Sequence, residues 1–203
     1  MAEQAYPERK GLTVKDLVTT GIFSALLCVT IFIGGVPFGA NPILTFYLPL
    51  GSALLGGPVF LLLAAKVPKR GPIAIAGILI GIIMFVLGMH WAMALGYVLG
   101  GIIGELIAGM GRHKSVKLNM LAFCCLSLGA TGSYLCYFID PAGWTSYMLK
   151  GGTDASYIDT MNAAAHYWLM AVMLIGTVIV ALFSGWVGSK LLKKQFEKAG
   201  ITA

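Results

Sequence analysis

The side chains that could do chemistry in this 203-residue chain are few, because only 11% of the residues are charged. Glu105 stands out because it lies inside a long apolar run. A carboxylate near a membrane centre costs about 3 kcal/mol on insertion scales, so it needs a stabilising contact or a function. Arg112 follows two helical turns later, which predicts a snorkelling or paired interfacial carboxylate; the alternative is a polar contact to a partner subunit or a coupling-ion site.

Two histidines, His90 and His166, are predicted at outer helix ends, and neither has a second His, Cys or carboxylate at ligand spacing. We therefore expect interfacial hydrogen bonding or substrate contact from them, and no metal site. The four cysteines lie in apolar runs without a CxxC motif, which predicts reduced packing residues. No Walker, HExxH or GxSxG motif occurs. We expect no enzymatic activity, no directly bound cofactor and no ATP hydrolysis by this chain itself.

The elements that position these residues are apolar and long. Apolar residues make up 58% of the chain, and the mean hydropathy is +0.87. A helix needs roughly 20 apolar residues to cross the hydrocarbon. The sequence predicts an all-α membrane protein, a bundle of six transmembrane helices that forms a single transmembrane domain over 1–203. The predicted spans are about 17–36, 43–65, 72–89, 91–110, 118–139 and 166–189, with short tails of about 1–14 and 190–203.

The distribution of charged residues along the chain agrees with this six-span arrangement. In the six-span arrangement, 13 of the 14 Lys and Arg residues lie on one side, and the other side holds only Lys150 together with three aspartates. The positive-inside rule then orients the chain with both termini in the cytoplasm, as a multi-pass protein of the cell (plasma) membrane. A five- or seven-span arrangement would scatter the same charges over both sides.

Aromatic side chains gather on the opposite, outer side, more strongly than an aromatic belt requires. They predict an outward-facing pocket that stacks a planar or partly apolar ligand, although belt residues alone remain the alternative. The long connection 140–165 is either a loose loop or a lid. The predicted substrate-binding residues are Asn41, Phe46, Tyr47, His90, Trp91, Tyr134, Tyr137, Trp144, His166 and Trp168.

Small residues in the first helix give a separate signal. Thr20, Gly21, Ser24 and Ala25 form two overlapping small-xxx-small steps, which let helix backbones approach closely in lipid. They predict either packing within the chain or docking of a partner through Gly21, Ser24 and Ala25. The glycines of the fourth predicted helix, within 96–104, have the same two interpretations.

The chain as a whole resembles the S component of an energy-coupling factor (ECF) transporter. The segments LLGGP at 54–58, KVPKRG at 66–71, GMHW at 88–91 and GELI at 104–107 are similar to the Trep_Strep-type subgroup of these integral membrane proteins. The resemblance implies a vitamin or related micronutrient as substrate. It also implies partners, a transmembrane coupling protein and two ABC-type ATPases that use ATP. Gly21 and Ala25 match the family's Ala-xxx-Ala docking motif, with glycine in place of the first alanine, and 140–165 matches its lid.

The sequence thus predicts the substrate-binding subunit of an ATP-driven ECF-type uptake transporter, without naming the substrate. One alternative is a secondary transporter coupled to protons through Glu105. The other is a membrane scaffold protein that transports nothing.

Overall fold

A computed structural model describes residues 11–193 and 197, and in this part of the chain every regular element is a helix. The prediction of an all-α protein is therefore confirmed for the described residues. The helices are α1 (Val14–Gly39), α2 (Thr45–Leu54), α3 (Gly56–Lys66), α4 (Pro72–Val86), α5 (Trp91–Met110), α6 (Val116–Ile139), α7 (Pro141–Lys150), α8 (Ala155–Ala164) and α9 (Trp168–Leu191). Of the predicted tails, residues 1–10, 194–196 and 198–203 lie outside the described residues.

The predicted count of six spanning helices is not confirmed. Four helices, α1, α5, α6 and α9, are long and apolar enough to cross a membrane, and α2 with α3 forms a fifth candidate that is bent by 43°. The bend lies at Leu55, because Pro58 has no N–H to donate to the carbonyl of Leu54. Helix α4 has 15 residues and is about 22 Å long, shorter than a hydrocarbon core of about 30 Å.

The helices expose many large apolar side chains, unlike the helices of a soluble bundle, and some of them bury hydroxyl-bearing residues. In α1 the buried side includes Thr20 and Ser24, whose hydroxyls donate to backbone carbonyls one turn earlier. Its exposed side chains repeat at helical spacing as Val18, Ile22, Leu26, Val29, Ile33 and Val36. Such an outer surface suits contact with lipid chains.

Helix α5 packs between α4 and α6 with its backbone close to both. Gly101 contacts Gly77 of α4, while Gly96 contacts Gly129 of α6. A Cβ added at Gly100 would collide with the carbonyl of Cys125. The α5 glycines therefore serve packing within the chain, which decides between the two interpretations that the sequence left open.

The bundle has two chemically different ends. At the basic end, Lys69 forms an ion pair with Asp16 at 2.6 Å, which ties the start of α1 to the α3–α4 connection. The described cations of this end are Lys15, Lys66, Lys69, Arg70, Arg112, Lys114, Lys117, Lys190 and Lys193. The opposite, aromatic end carries Lys150 and three aspartates.

The segment predicted as a long loop, 140–165, forms the two short helices α7 and α8 at the aromatic end. Asp140 and Asp154 cap them, since each carboxylate accepts a hydrogen bond from a backbone N–H of the first turn. Trp144 and Met161 are buried against the bundle. This connection is therefore a packed cover and not a loose loop.

Replacing Gly100 with alanine is predicted to lower the free energy of unfolding by roughly 1–3 kcal/mol, because the new methyl group would force α5 and α6 apart. Thermal unfolding of the purified protein in detergent would measure the change. Gly109→Ala, in the same helix, is the matched control, because its Cβ would meet no atom closer than 3.8 Å. A Gly100→Ala variant that melts at or above the temperature of the unaltered protein would contradict this packing.

Candidate functional site

A cavity of about 430 Å³ opens at the aromatic end, where α1, α2, α5 and α6 meet beneath α7 and α8. We refer to this cavity as the cup. Its volume falls within the range of about 300–1,000 Å³ that is common for small-molecule sites. Its wall includes Phe32, Gly39, Thr45, Met84, Met89, His90, Met93, Tyr97, Ser133, Tyr134, Trp144, Met148, Asp154 and Tyr157.

His90 lies in the wall of the cup immediately before α5 and is 4% exposed. Its Nδ1 accepts a hydrogen bond from the backbone N–H of Ala92 at 3.2 Å, which makes it the N-cap of α5. Burial lowers the pKa of His90, so its imidazole is neutral at pH 7. With Nδ1 accepting, the proton lies on Nε2, which leaves an N–H donor for another molecule.

Tyr134 closes one side of the cup from the last turns of α6. Its hydroxyl forms a hydrogen bond of 3.0 Å with the hydroxyl of Thr45, so α2 and α6 are joined at the cup wall. Phe46 lies behind Tyr134, with the ring centroids 5.7 Å apart, and is 1% exposed. Phe46 thus supports the wall from the protein core and does not line the cup.

The aromatic side chains of the cover itself donate two hydrogen bonds to the bundle. Trp144 of α7 donates its indole N–H to the hydroxyl oxygen of Ser133 at 3.0 Å. Tyr157 of α8 donates its hydroxyl to the backbone carbonyl of Gly39 at 2.6 Å. Both contacts join the cover to helices of the bundle, so the position of α7 and α8 depends on them.

Of the predicted binding residues, His90, Tyr134 and Trp144 line the cup. Tyr137 lies on the far side of Trp144, at a centroid distance of 5.3 Å, and its hydroxyl donates to Asn162 at 2.9 Å. It belongs to an open groove between α6, α7 and α8 that also contains Lys150.

Two other predicted binding residues serve the fold of the α1–α2 region. The side-chain oxygen of Asn41 accepts from the backbone N–H of Ile43 at 2.9 Å, so this residue stabilises the turn between α1 and α2. Tyr47 is half-buried and packs against the hydrophobic core. Neither side chain is part of the cup wall.

Three predicted binding residues point away from the cup. Trp91 is 48% exposed and packs on the outer side of His90, with the ring centroids 5.4 Å apart. Trp168 is 57% exposed at the start of α9, and His166 is exposed just before it. The two tryptophans match the aromatic belt that the sequence left as the alternative.

Sequence reasoning missed several residues of the cup, above all Tyr97 and four methionines. These residues lie inside apolar runs, where a wall residue looks like any packing residue. One signal was available, since His90, Met93 and Tyr97 follow each other at i, i+3 and i+7 and therefore share one face of α5. Tyr97 is 2% exposed, and its hydroxyl makes no hydrogen bond within the described part of the chain.

Glu105 lies at the basic end, far along α5 from the cup. One carboxylate oxygen is 2.6 Å from Nε2 of His113, and the other accepts from the backbone N–H of Ile73 at 3.0 Å and that of Ala74 at 3.4 Å. Glu105 is therefore a paired carboxylate, but its partner is His113 and not Arg112. Because Glu105 caps the first turn of α4, its negative charge lies at the positive end of that helix dipole.

The three predicted docking residues of α1 separate onto two faces. Ser24 is 1% exposed and donates to the carbonyl of Thr20, so it faces the bundle. Ala25 is exposed, and a Cβ added at Gly21 would meet no atom within 4 Å. Gly21 and Ala25 thus share an open, small-residue strip on the outer face of α1.

The chain is similar to a known family of bacterial membrane proteins. A family model described as a hypothetical bacterial integral membrane protein (Trep_Strep) matches residues 14–198. No curated protein and no solved structure matches the chain. The matched range includes every helix of the described structure, and with them the cup and the contacts of Glu105.

Glu105→Gln is predicted to lower the free energy of unfolding by about 1–3 kcal/mol, because it removes the charge that faces His113 and the N-terminus of α4. Thermal unfolding in detergent at pH 7 would measure the loss. Asp159→Asn is the control, since it removes an exposed carboxylate of the aromatic end. Equal melting temperatures for Glu105→Gln and the control would refute the capping role.

Proposed function

We propose that this chain, which belongs to the Trep_Strep family of bacterial integral membrane proteins, is the substrate-binding subunit of an ATP-driven ECF-type uptake transporter. Its substrate would be a vitamin or related small micronutrient. The observation that carries the proposal is the cup, a half-open, aromatic cavity with a helical cover at the end of the bundle that lacks the basic loops. The resemblance of the chain to ECF S components supplies the transporter type.

The orientation follows from charge. Basic loops favour the cytoplasmic side of a membrane, so the basic end and both termini would face the cytoplasm, and the cup would open outward. In this orientation the cup meets substrate arriving from outside the cell. A protein of the plasma membrane with this orientation is suited to uptake.

Capture would take place between the wall and the cover of the cup. Trp144 provides an aromatic face, while His90 provides an N–H donor that orients the ligand. The bonds of Trp144 to Ser133 and of Tyr157 to Gly39 would break and re-form as α7 and α8 open and close. The covering helices would thus control entry to the cup.

The energy for release would come from partners. The sequence holds no P-loop, so two ABC-type ATPases would hydrolyse ATP, and a transmembrane coupling protein would transmit the movement. The open strip of Gly21 and Ala25 on α1 is suited to close approach by a helix of that coupling protein. The apolar exterior of the bundle would allow the whole subunit to tilt in the bilayer.

The proton-coupled alternative depends on Glu105, whose contacts with His113 and the start of α4 already explain its burial. The Glu105→Gln variant separates the two functions when cellular uptake is measured. It should abolish uptake by a proton-coupled transporter, and it should only weaken uptake by an ECF-type subunit, in proportion to the protein that stays folded.

Ligand binding is predicted to change the fluorescence of Trp144, because its indole forms part of the cup wall. Titration of the purified protein with a panel of vitamins would measure the change for the unaltered chain and for two variants. Trp144→Phe should lose the response, whereas Trp168→Phe should retain it, since Trp168 is exposed on the outside of the bundle. A response that persists in Trp144→Phe would place the ligand elsewhere, and a scaffold protein would give none.

Gly21→Leu and Ala25→Leu are predicted to block transport and to leave ligand binding intact, because both add bulk to the outer face of α1 without touching the cup. Uptake in cells and ligand titration of the purified protein would be measured side by side. Ala171→Leu is the matched control, because it enlarges an exposed alanine on α9. Normal uptake by both α1 variants would rule out this docking strip.

A further inference from the structure

The electrostatics of the cup limit the ligand it can hold. Within the described part of the chain no Lys or Arg lines the cup, and its one charged residue is Asp154 at the mouth. Hydrogen bonds from the side chain and the backbone of Ser156 keep the pKa of Asp154 below its ordinary value, so the carboxylate is ionised at neutral pH. A carboxylate or phosphate in the cup would therefore meet one negative charge and no positive charge.

The surface of the cup suits flat rings. Phe32, Tyr97 and Trp144 contribute aromatic side chains, and four methionines contribute polarizable thioethers. Aromatic rings and methionine sulfur both make favourable contacts with planar ring systems. A flexible, fully saturated ligand would gain less from this wall than a conjugated ring.

The free polar groups of the wall are neutral donors. His90 offers its Nε2–H, since Nδ1 is already used by Ala92. Ser133 accepts the indole N–H of Trp144, so its own hydroxyl hydrogen remains available. Tyr97 is 2% exposed, and its hydroxyl has no hydrogen-bond partner in the described part of the chain. A buried donor gains most from a ligand that supplies ring nitrogens or carbonyl oxygens as acceptors.

From these three features we infer that the cup binds a planar heteroaromatic compound that carries no anionic group and whose ring nitrogens or carbonyl groups accept hydrogen bonds from Tyr97, His90 and Ser133. Compounds of the same ring that carry a carboxylate or phosphate bind more weakly. The inference rests on the proposed capture function and narrows its substrate class.

The first test compares matched pairs that differ in one anionic group, with Trp144 fluorescence as the readout. The pairs are nicotinamide with nicotinate, pyridoxine with pyridoxine 5′-phosphate, and riboflavin with riboflavin 5′-phosphate, each titrated to millimolar concentration at pH 7.5. The uncharged member is expected to bind at least about tenfold more tightly, a difference of about 1.4 kcal/mol. An anionic member that binds as tightly as its partner or more tightly overturns the inference but leaves the capture function standing. No Trp144 response to any compound overturns both.

The second test removes one donor. Tyr97→Phe should weaken binding of the preferred ring about three- to tenfold, the effect of one neutral hydrogen bond. Its melting temperature should not fall, because the hydroxyl of Tyr97 bonds no protein group in the described structure. Quinoxaline and naphthalene provide the ligand control, since only the former has acceptor nitrogens, and only its affinity should change. Unchanged affinity for both the preferred ring and quinoxaline would show that Tyr97 donates to no ligand and would overturn its assigned role.

Discussion

The backbone of α5 packs closely against both of its neighbours, and this packing fixes where the polar groups of the bundle lie. Glycines let the backbone of α5 lie against α4 on one side and α6 on the other, at distances that any side chain would increase. His90, the N-cap of α5, and Tyr97 in the first half of this helix line the cup, and Glu105 lies nearer its other end. Its packing therefore sets the positions of both polar sites at once.

The two ends of the bundle use their polar groups differently. At the basic end, the charged side chains of Glu105 and Asp16 have partners and hold helix termini in place. At the aromatic end, His90 and Tyr97 keep donors that the described residues do not use. Buried polar groups are normally satisfied, so the unused donors of the cup support the proposed ligand site, whereas the satisfied groups of the basic end hold helix termini in place.

The sequence identified part of the candidate site and could not separate it from the aromatic belt. The sequence predicts the same binding role for His90, Trp144, Trp91 and Trp168, because all four lie at the same predicted depth in the membrane. The depth of a residue in the membrane follows from its position along the chain. The direction of its side chain depends on how the helix is rotated about its own axis relative to the neighbouring helices. That rotation turns Trp144 inward to Ser133 and leaves Trp168 exposed on the outer surface.

Composition and the order of charges along the chain predict a lipid environment and the broad layout of this protein. Long apolar runs require lipid around helices, and the separation of charges distinguishes the two ends. The helical cover formed by 140–165, the pairing of Glu105 with His113 and the position of Tyr97 in a cavity become visible only in the folded chain. Each of these features brings together residues of separate elements, and it therefore depends on how closely those elements pack and not on composition.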